Sequence, residues 1–163
     1  MYNNNAPPRQ LPEVVIRLAR KSDLEALCNL LAQLFSIEVD FEVNRHKQLN
    51  GLELLLQDTS HARVFVVEIK HQLVAMCTLQ IVVSTASGGQ SAWLEDVIVE
   101  QNFRHQGIGT ALLNQVMAWC EKNQVHRLQL LADETNPQAG VFYRHGSWQA
   151  TQLRVWRKTL NEK

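Results

Sequence analysis

The chain has 163 residues, 45% hydrophobic and 20% charged, and its 16 basic residues balance its 16 acidic ones. This length suffices for one domain with a hydrophobic core. The zero formal net charge argues against a nucleic-acid-binding protein, which needs a clustered basic face. No apolar run reaches the length of a membrane span. We therefore expect neither nucleic acid nor membrane among the partners.

The N-terminal residues are polar and contain prolines, without the apolar stretch typical of a signal peptide. They predict a flexible tail over residues 1–12, followed by a single domain over residues 13–163. The three cysteines, Cys28, Cys77 and Cys120, lie among apolar residues without the spacing of metal ligands. We interpret them as core residues of a cytoplasmic protein, and we predict no metal site.

Hydrophobic periodicity predicts the elements in chain order. Residues 14–19 form a first strand, and Ser22 with Glu25 makes a capping box for a helix that ends near Phe35. A second helix covers residues 47–56. The later elements are strands over 63–69, 73–83 and 93–99 with a flexible loop over 84–91 between the last two, a helix over 107–122, a strand over 127–132, a short helix over 137–144 and a closing strand over 153–159. This order predicts a mixed α/β sheet without regular βαβ alternation.

The segment from Arg104 to Gly109 links the strand at 93–99 to the next helix. Backbone N–H groups converge at such a helix start, and the helix dipole adds partial positive charge. Gly107 and Gly109 have no Cβ, so a phosphate can approach the backbone closely. The sequence therefore predicts a diphosphate site.

Three phosphate-binding patterns compete for this segment. A Walker A loop ends in Gly-Lys-Ser/Thr, whereas this one continues as Gly109-Thr110-Ala111. A dinucleotide fingerprint needs a third glycine where Leu112 stands, although Asp133 lies near the expected acidic position. The hairpin before the loop also argues against a Rossmann domain. The third pattern, Arg/Gln-x-x-Gly-x-Gly/Ala, fits Arg104 to Gly109.

The third pattern resembles the coenzyme A loop of the GCN5-related N-acetyltransferases. The run from Glu95 to Val99 resembles the fourth strand of that family, and Asn136 to Tyr143 matches its N-x-x-A-x-x-F-Y segment. Gly146 and Trp148 stand where the family has a glycine and an aromatic residue. The resemblance implies the acyl-CoA N-acyltransferase fold, with a mixed, mostly antiparallel central sheet flanked by helices.

That resemblance implies an N-acetyltransferase that moves the acetyl group of acetyl-CoA to a primary amine by direct attack. A small-molecule amine is the favoured acceptor, and a homodimer is common in the family. The residues that would hold acetyl-CoA are Val97, Ile98, Val99, Arg104, His105, Gln106, Gly107, Ile108, Gly109, Thr110 and Asn136. Asn136 is alternatively an ordinary helix N-cap.

Two residues are candidates for moving protons. Glu95 shares a face with Val97 by the period of a strand, and apolar neighbours would raise its pKa and let it accept a proton through water. Asp96 is expected to face the other way, and both acids could instead be solvated. Tyr143 is the predicted acid, since a phenol with a pKa of about 10 suits protonation of a thiolate. Its alternative role is a core aromatic beside Phe142.

Other functions remain open at this point. The chain could bind acyl-CoA as a sensor without turnover, or it could acetylate a protein amino group. A nucleotide-dependent oxidoreductase is a third alternative, and tight binding of NAD in place of coenzyme A would support it.

Overall fold

A five-stranded sheet carries the fold in the computed structural model, which describes residues 13–38, 40–133 and 135–160. The strands are β1 Val14–Leu18, β2 Ala62–Ile69, β3 Gln72–Ser84, β4 Gly89–Val99 and β5 Val125–Leu130. They lie in sequence order across the sheet. The pairs from β1 to β4 are antiparallel, while β4 and β5 are parallel. The predicted mixed, mostly antiparallel α/β fold is confirmed.

Helices cover both faces of this sheet. They are α1 Leu24–Phe35, α2 Arg45–Gln57 and α3 Ile108–Lys122, whereas the fourth helix, α4 Pro137–His145, belongs to the second unit described below. On one face, leucines of α1 and α2 form a buried core with Val64, Val66, Met76 and Ile98. Phe65 alternates with those valines along β2 and so points to the opposite face. There its ring packs edge-on against Trp119 of α3, with the ring centroids 6.2 Å apart. The face under α1 and α2 is called the α1/α2 face below.

The start of α1 differs from the prediction. Residues Lys21–Asp23 form a short 3-10 turn, and α1 begins at Leu24. The Asp23 carboxylate accepts the backbone N–H of Arg20 at 2.7 Å and pairs with the guanidinium of Arg17 at 2.8 Å. The predicted capping box at Ser22 is therefore wrong, because Asp23 supplies the carboxylate at this end.

The strand before the glycine loop is longer than predicted. It begins at Gly89, because the turn occupies only residues 85–88 and Gly88 adopts the left-handed φ of 63° that such a turn requires. The predicted loop over 84–91 is thus a short hairpin turn. The remaining boundaries before residue 146 agree with the predicted ones to within about two residues.

The chain divides into two compact units, one ending at Leu131 and the other beginning at Ala132. The second unit contains α4, and its described residues 146–160 adopt neither helix nor strand. The predicted closing strand over 153–159 is therefore wrong. Leu153 and Trp156 are 82% and 93% exposed, and an apolar pattern makes no strand without a neighbouring backbone to pair with.

Two expectations are not decided by these elements. The predicted tail over residues 1–12 lies outside the described residues, and the single domain over residues 13–163 stays a prediction. No described helix has the length and the apolar character needed to cross a membrane.

Candidate active site

The loop between β4 and α3 presents open backbone at the helix start. Gly107 is the N-cap of α3 and has a φ of 78°, in the left-handed region that favours glycine. A Cβ at this position would meet no atom within 4 Å, so the space beside the backbone can admit a ligand. The first turn of α3 contains no acidic residue, which leaves the positive end of the helix dipole to an external anion.

The N–H groups of this loop have the geometry of an anion site. The N–H of Ala111 donates to the carbonyl of Gly107 at 2.9 Å, and the N–H groups of residues 108–110, in the first turn, have no intrahelical acceptor. Gln106 and Thr110 are exposed, whereas the side chain of Ile108 is buried and anchors the loop. His105, with a φ of 60°, turns the chain before Gly107. The segment from Gln106 to Thr110 fits a diphosphate.

Arg104 ties this loop to the end of β4. Its Nε donates a hydrogen bond to the carbonyl oxygen of Val99 at 2.8 Å, and its side chain is half-buried. Sequence reasoning expected Arg104 to contact the cofactor. The structure shows that the bond to Val99 fixes the loop against the strand edge, and the contact of Arg104 with the cofactor stays a prediction.

We expect Arg104→Gln to retain coenzyme A affinity within about threefold, and Arg104→Met to lose roughly tenfold, the worth of one hydrogen bond. The amide nitrogen of glutamine stands as many bonds from Cα as the arginine Nε, so it can donate to Val99. Methionine has similar length and no donor. Calorimetric titration with coenzyme A measures both. Equal losses in the two variants would show that the guanidinium charge matters and the tether does not.

The outer edge of β4 is open where coenzyme A is expected. β4 pairs with β5 only from Gln90 to Leu94, so within the described residues the β5 side of β4 has no strand partner from Glu95 onward. An extended amide-bearing chain can add to such an edge as an extra strand. Ile98 is buried in the core, while Val97 and Val99 are half-buried. At this edge, the backbone N–H and C=O groups of these residues, rather than their side chains, are available to pair with a ligand.

A β-bulge interrupts β4 at the same place. Glu95 stands opposite Thr78, and Ile98 stands opposite Met76. Two residues, Asp96 and Val97, therefore face one residue of β3, and Asp96 takes a φ of 53°. The alternation of side chains is shifted across the bulge. The expectation that Glu95 and Val97 share a face is wrong, because Ile98 takes that place.

The bulge brings two carboxylates to the α1/α2 face. Thr78 Oγ1 donates to Asp96 Oδ2 at 2.7 Å, and Gln80 Nε2 donates to Glu95 Oε2 at 2.8 Å. Thr78 and Gln80 are two residues apart on β3 and so lie on one face. The expectation that Asp96 points away from Glu95 is wrong, since a left-handed residue breaks the alternation on which it depended.

The two carboxyl groups differ in their surroundings. Glu95 is exposed, whereas Asp96 is half-buried. Burial raises the pKa of Asp96 above its ordinary value, and the nearby charge of Glu95 adds to the rise, while the Thr78 hydrogen bond opposes it. The carboxyl whose pKa burial raises is thus Asp96, the acid that was expected to face the other way.

The cysteines do not contribute a nucleophile. All three are buried, which confirms their assignment to the core. Burial raises the pKa of the Cys120 thiol to about 11 and raises that of Cys77 as well. Thiolate, the reactive form, is therefore scarce at neutral pH.

Two predicted residues belong to the second unit. Asn136 is the N-cap of α4, and its Oδ1 accepts the N–H of Ala139 at 3.1 Å. The N-cap interpretation is confirmed, and its contact with coenzyme A stays a prediction. Tyr143 is half-buried, with ring centroids 5.2 Å from Phe142 and 5.8 Å from Trp148. Its ring is therefore packed, and its role as an acid stays a prediction.

The sequence is similar to those of known acetyltransferases. The sequence profile of the Acetyltransferase (GNAT) family matches residues 24–146. Streptothricin acetyltransferase A of Bacillus subtilis (strain 168) is 36% identical over 52 residues. That match covers 32% of this chain and only 30% of the relative.

Solved structures show the same fold. A possible acetyltransferase from Clostridium difficile 630 superposes with a TM-score of 0.82 at 21% identity, covering 91% of this chain and 99% of its own. An aminoglycoside N-acetyltransferase, AAC(6')-Iy, solved in complex with CoA, superposes with a TM-score of 0.80 at 18% identity, covering 94% of this chain and 99% of its own. An aminoglycoside acetyltransferase from an uncultured soil metagenomic sample, bound to sisomicin, superposes with a TM-score of 0.76 at 22% identity, covering 91% of this chain and 97% of its own. With three quarters of its length matched by the family profile, the chain belongs to the acetyltransferase (GNAT) family.

Proposed function

We propose that the protein transfers the acetyl group of acetyl-CoA to a primary amine of a small molecule by direct attack. One observation carries the proposal. The open loop at the start of α3 continues directly from the strand that bears the Glu95–Asp96 pair. A diphosphate site and a pair of proton-accepting groups are thereby joined by one short stretch of chain.

Each part of this stretch has a task in the reaction. The N–H groups of residues 106–110 would hold the diphosphate, and the open edge of β4 would pair with the pantetheine amides. A backbone N–H of that edge would polarise the thioester carbonyl, as in an oxyanion hole. The amine nitrogen would attack the carbonyl carbon, and a C–N bond would replace the C–S bond. The thiolate would leave and take a proton, for which Tyr143 is the predicted donor.

The amine must lose a proton before or during this attack. Glu95 and Asp96 lie on one face, and the charge of Glu95 adds to the rise in the pKa of Asp96, so we assign the role of base to the pair. The base acts only when ionised. Because the pKa of Asp96 is raised, its carboxyl stays protonated to a higher pH than an ordinary aspartic acid, and turnover should fall as pH drops through that pKa.

Glu95→Gln should lower turnover roughly 100-fold at neutral pH, in line with general-base contributions. Asp96→Asn should cause a loss of similar size, because asparagine still accepts the Thr78 hydrogen bond and cannot take a proton. The double variant should be little worse than either one, as expected for groups that act together. Initial rates across pH measure this, and the defects should shrink as pH rises and the amine deprotonates in bulk water.

A matched control is Glu53→Gln, which removes an exposed carboxylate from α2 and should leave turnover unchanged. A pH-rate profile of Glu95→Gln identical to that of the unmodified enzyme would remove Glu95 from the mechanism. Multiplied losses in the double variant would instead assign the two acids to separate steps.

Similar proteins support a small-molecule acceptor. One relative is a streptothricin acetyltransferase, and two of the similar structures are aminoglycoside acetyltransferases, one of them bound to sisomicin. The likeness to the relative is confined to part of each chain, and the structural likeness is one of fold. The acceptor class is therefore tested directly.

The test is release of free thiol from acetyl-CoA, followed across a panel of small primary amines, with a panel of peptides bearing free amino groups as comparison. We expect turnover with small amines, and we expect the Gly109→Val substitution to abolish that turnover. Turnover with peptides alone would favour a protein amino-group acetyltransferase. Tight coenzyme A binding without thiol release from any acceptor would favour an acyl-CoA-sensing protein. A homodimer and a cytoplasmic location are further proposals, and light scattering after gel filtration tests the first.

A further inference from the structure

A cleft of about 210 Å³ opens between the end of α2 and the paired ends of β2 and β3. Leu54 and Asp58 come from the α2 side, His61 precedes β2, and Gln80 and Val82 come from β3. Gln80 lies on the α1/α2 face, by the same alternation that places Thr78 there. The cleft is separate from the diphosphate loop, which lies at the other end of β4.

Gln80 connects this cleft to the carboxylate pair. Gln80 is one of the residues that line the cleft, and its amide Nε2 donates to Glu95 Oε2 at 2.8 Å. A molecule that fills the cleft therefore lies next to the residue that holds Glu95. This contact makes the cleft a candidate for the part of the acceptor that does not react.

One wall of the cleft bears a fixed negative charge. Asp58 Oδ1 accepts the backbone N–H of His61 at 2.9 Å and that of Ser60 at 3.1 Å, and His61 Nδ1 lies 3.3 Å away. These hydrogen bonds hold the pKa of Asp58 below its usual range. The carboxylate is thus ionised and fixed in direction, and the described contacts all fall on Oδ1.

Five of the eight residues that line the cleft are apolar: Leu54, Leu55, Ala62, Ile81 and Val82. Leu54 is 68% exposed and Val82 is 39% exposed, so each offers hydrocarbon surface to a bound molecule. A fixed anion beside apolar walls suits a hydrocarbon skeleton that carries a cation. An isolated anionic ligand would meet only repulsion from Asp58 here.

We propose that this cleft binds a second ammonium group of the acceptor, at Asp58, while the first amino group reaches the Glu95–Asp96 pair. The acceptor class is then a diamine or polyamine. Gln80 stands between the two positions and couples them. This inference rests on the proposed N-acetyltransferase function and names its substrate class.

The probes are diaminoalkanes of increasing chain length, each matched to the monoamine with the same number of carbons. The unmodified protein should show a lower KM for at least one diamine than for its matched monoamine. Asp58→Asn should raise that KM about fivefold, the worth of an exposed ion pair, and should leave kcat unchanged. KM for the monoamine should not change. Asparagine keeps the oxygen that accepts the two backbone N–H groups, so the turn is retained.

Glu53→Gln is the matched control, since it removes a carboxylate of α2 that lies outside this cleft. It should leave both KM values unchanged. Equal changes of KM for diamine and monoamine in Asp58→Asn, or no change for either, would overturn the proposal. An equal effect of Glu53→Gln on the diamine would do the same, because it would reveal only general electrostatic attraction.

Direct binding separates this proposal from the proposed function. Calorimetric titration of a diamine into the protein without acetyl-CoA should show an affinity that Asp58→Asn weakens about fivefold. If thiol is released from no amine while this binding persists, the catalytic proposal fails and the cleft stands. If thiol is released from monoamines and diamines alike with the same KM, the catalytic proposal stands and the cleft assignment fails.

Discussion

Replacing Gly109 with valine should abolish detectable binding of coenzyme A while leaving the protein folded. Gly109 is the second residue of α3, in the turn whose N–H groups have no intrahelical acceptor. A branched side chain there would stand where the diphosphate must approach the backbone. The helix itself should tolerate the change, because valine has a somewhat better helix propensity than glycine. Calorimetric titration with coenzyme A measures binding, and thermal unfolding monitors the fold.

Gly51 offers a matched control for that substitution. It lies inside α2, and a Cβ at this position would meet no atom within 4 Å. Gly51→Val therefore makes the same chemical change in another helix and should leave coenzyme A affinity intact. Unchanged affinity in a folded Gly109→Val variant would disprove the diphosphate assignment. Equal losses in both variants would point to a general effect on stability.

The strand–loop–helix arrangement proposed to bind the diphosphate was predictable because its signal is local. A strand, two glycines and an amphipathic helix follow one another within a short stretch, and each is visible in the residues themselves. The structure adds the left-handed φ at Gly107 and the bond from Arg104 to Val99. Glycine adopts a left-handed φ easily, so the conformation of Gly107 could be expected. Nothing in the sequence indicates that Val99 accepts the Arg104 hydrogen bond.

The geometry of the acidic pair could not be predicted in the same way. It depends on the register between β3 and β4, where Asp96 and Val97 oppose the single residue Cys77. A period of two cannot reveal an extra residue, since the bulge is defined by the partner strand. Aspartate tolerates a positive φ better than most residues, and this is the weak signal that the sequence carries. This left-handed conformation turns the Asp96 side chain to the face that carries Thr78.

Long-range pairing also explains the missing strand near the C-terminus. The apolar residues between Leu153 and Thr159 predict a strand from composition, yet this segment is described without one. The cleft beside Gln80 escaped prediction for a related reason, because Asp58 and Gln80 are 22 positions apart in the chain. They line the same cleft only because the folded chain packs the end of α2 beside the ends of β2 and β3. The residues thus predict the local elements, whereas surfaces made by distant segments carry no local signal.

Tyr143→Phe should lower turnover about 10- to 1000-fold if expulsion of the thiolate limits the rate. The motivation is the position of Tyr143 in the N-x-x-A-x-x-F-Y segment, together with a neutral hydroxyl that can donate a proton. The substitution removes only the hydroxyl and keeps the ring that packs against Phe142 and Trp148. Stability and acetyl-CoA affinity should therefore change little, and steady-state rates with saturating acceptor measure the effect.

The leaving group provides the sharper test of this role. A thioester whose thiol is more acidic needs less help from a proton donor, so the loss in Tyr143→Phe should shrink when such an acyl donor replaces acetyl-CoA. Phe142→Leu serves as the packing control, because it disturbs the same aromatic cluster and leaves the Tyr143 hydroxyl in place. It should lower thermal stability, and its loss of turnover should not depend on the thiol. If Tyr143→Phe keeps full turnover with acetyl-CoA, the tyrosine is a packed aromatic only and water must supply the proton.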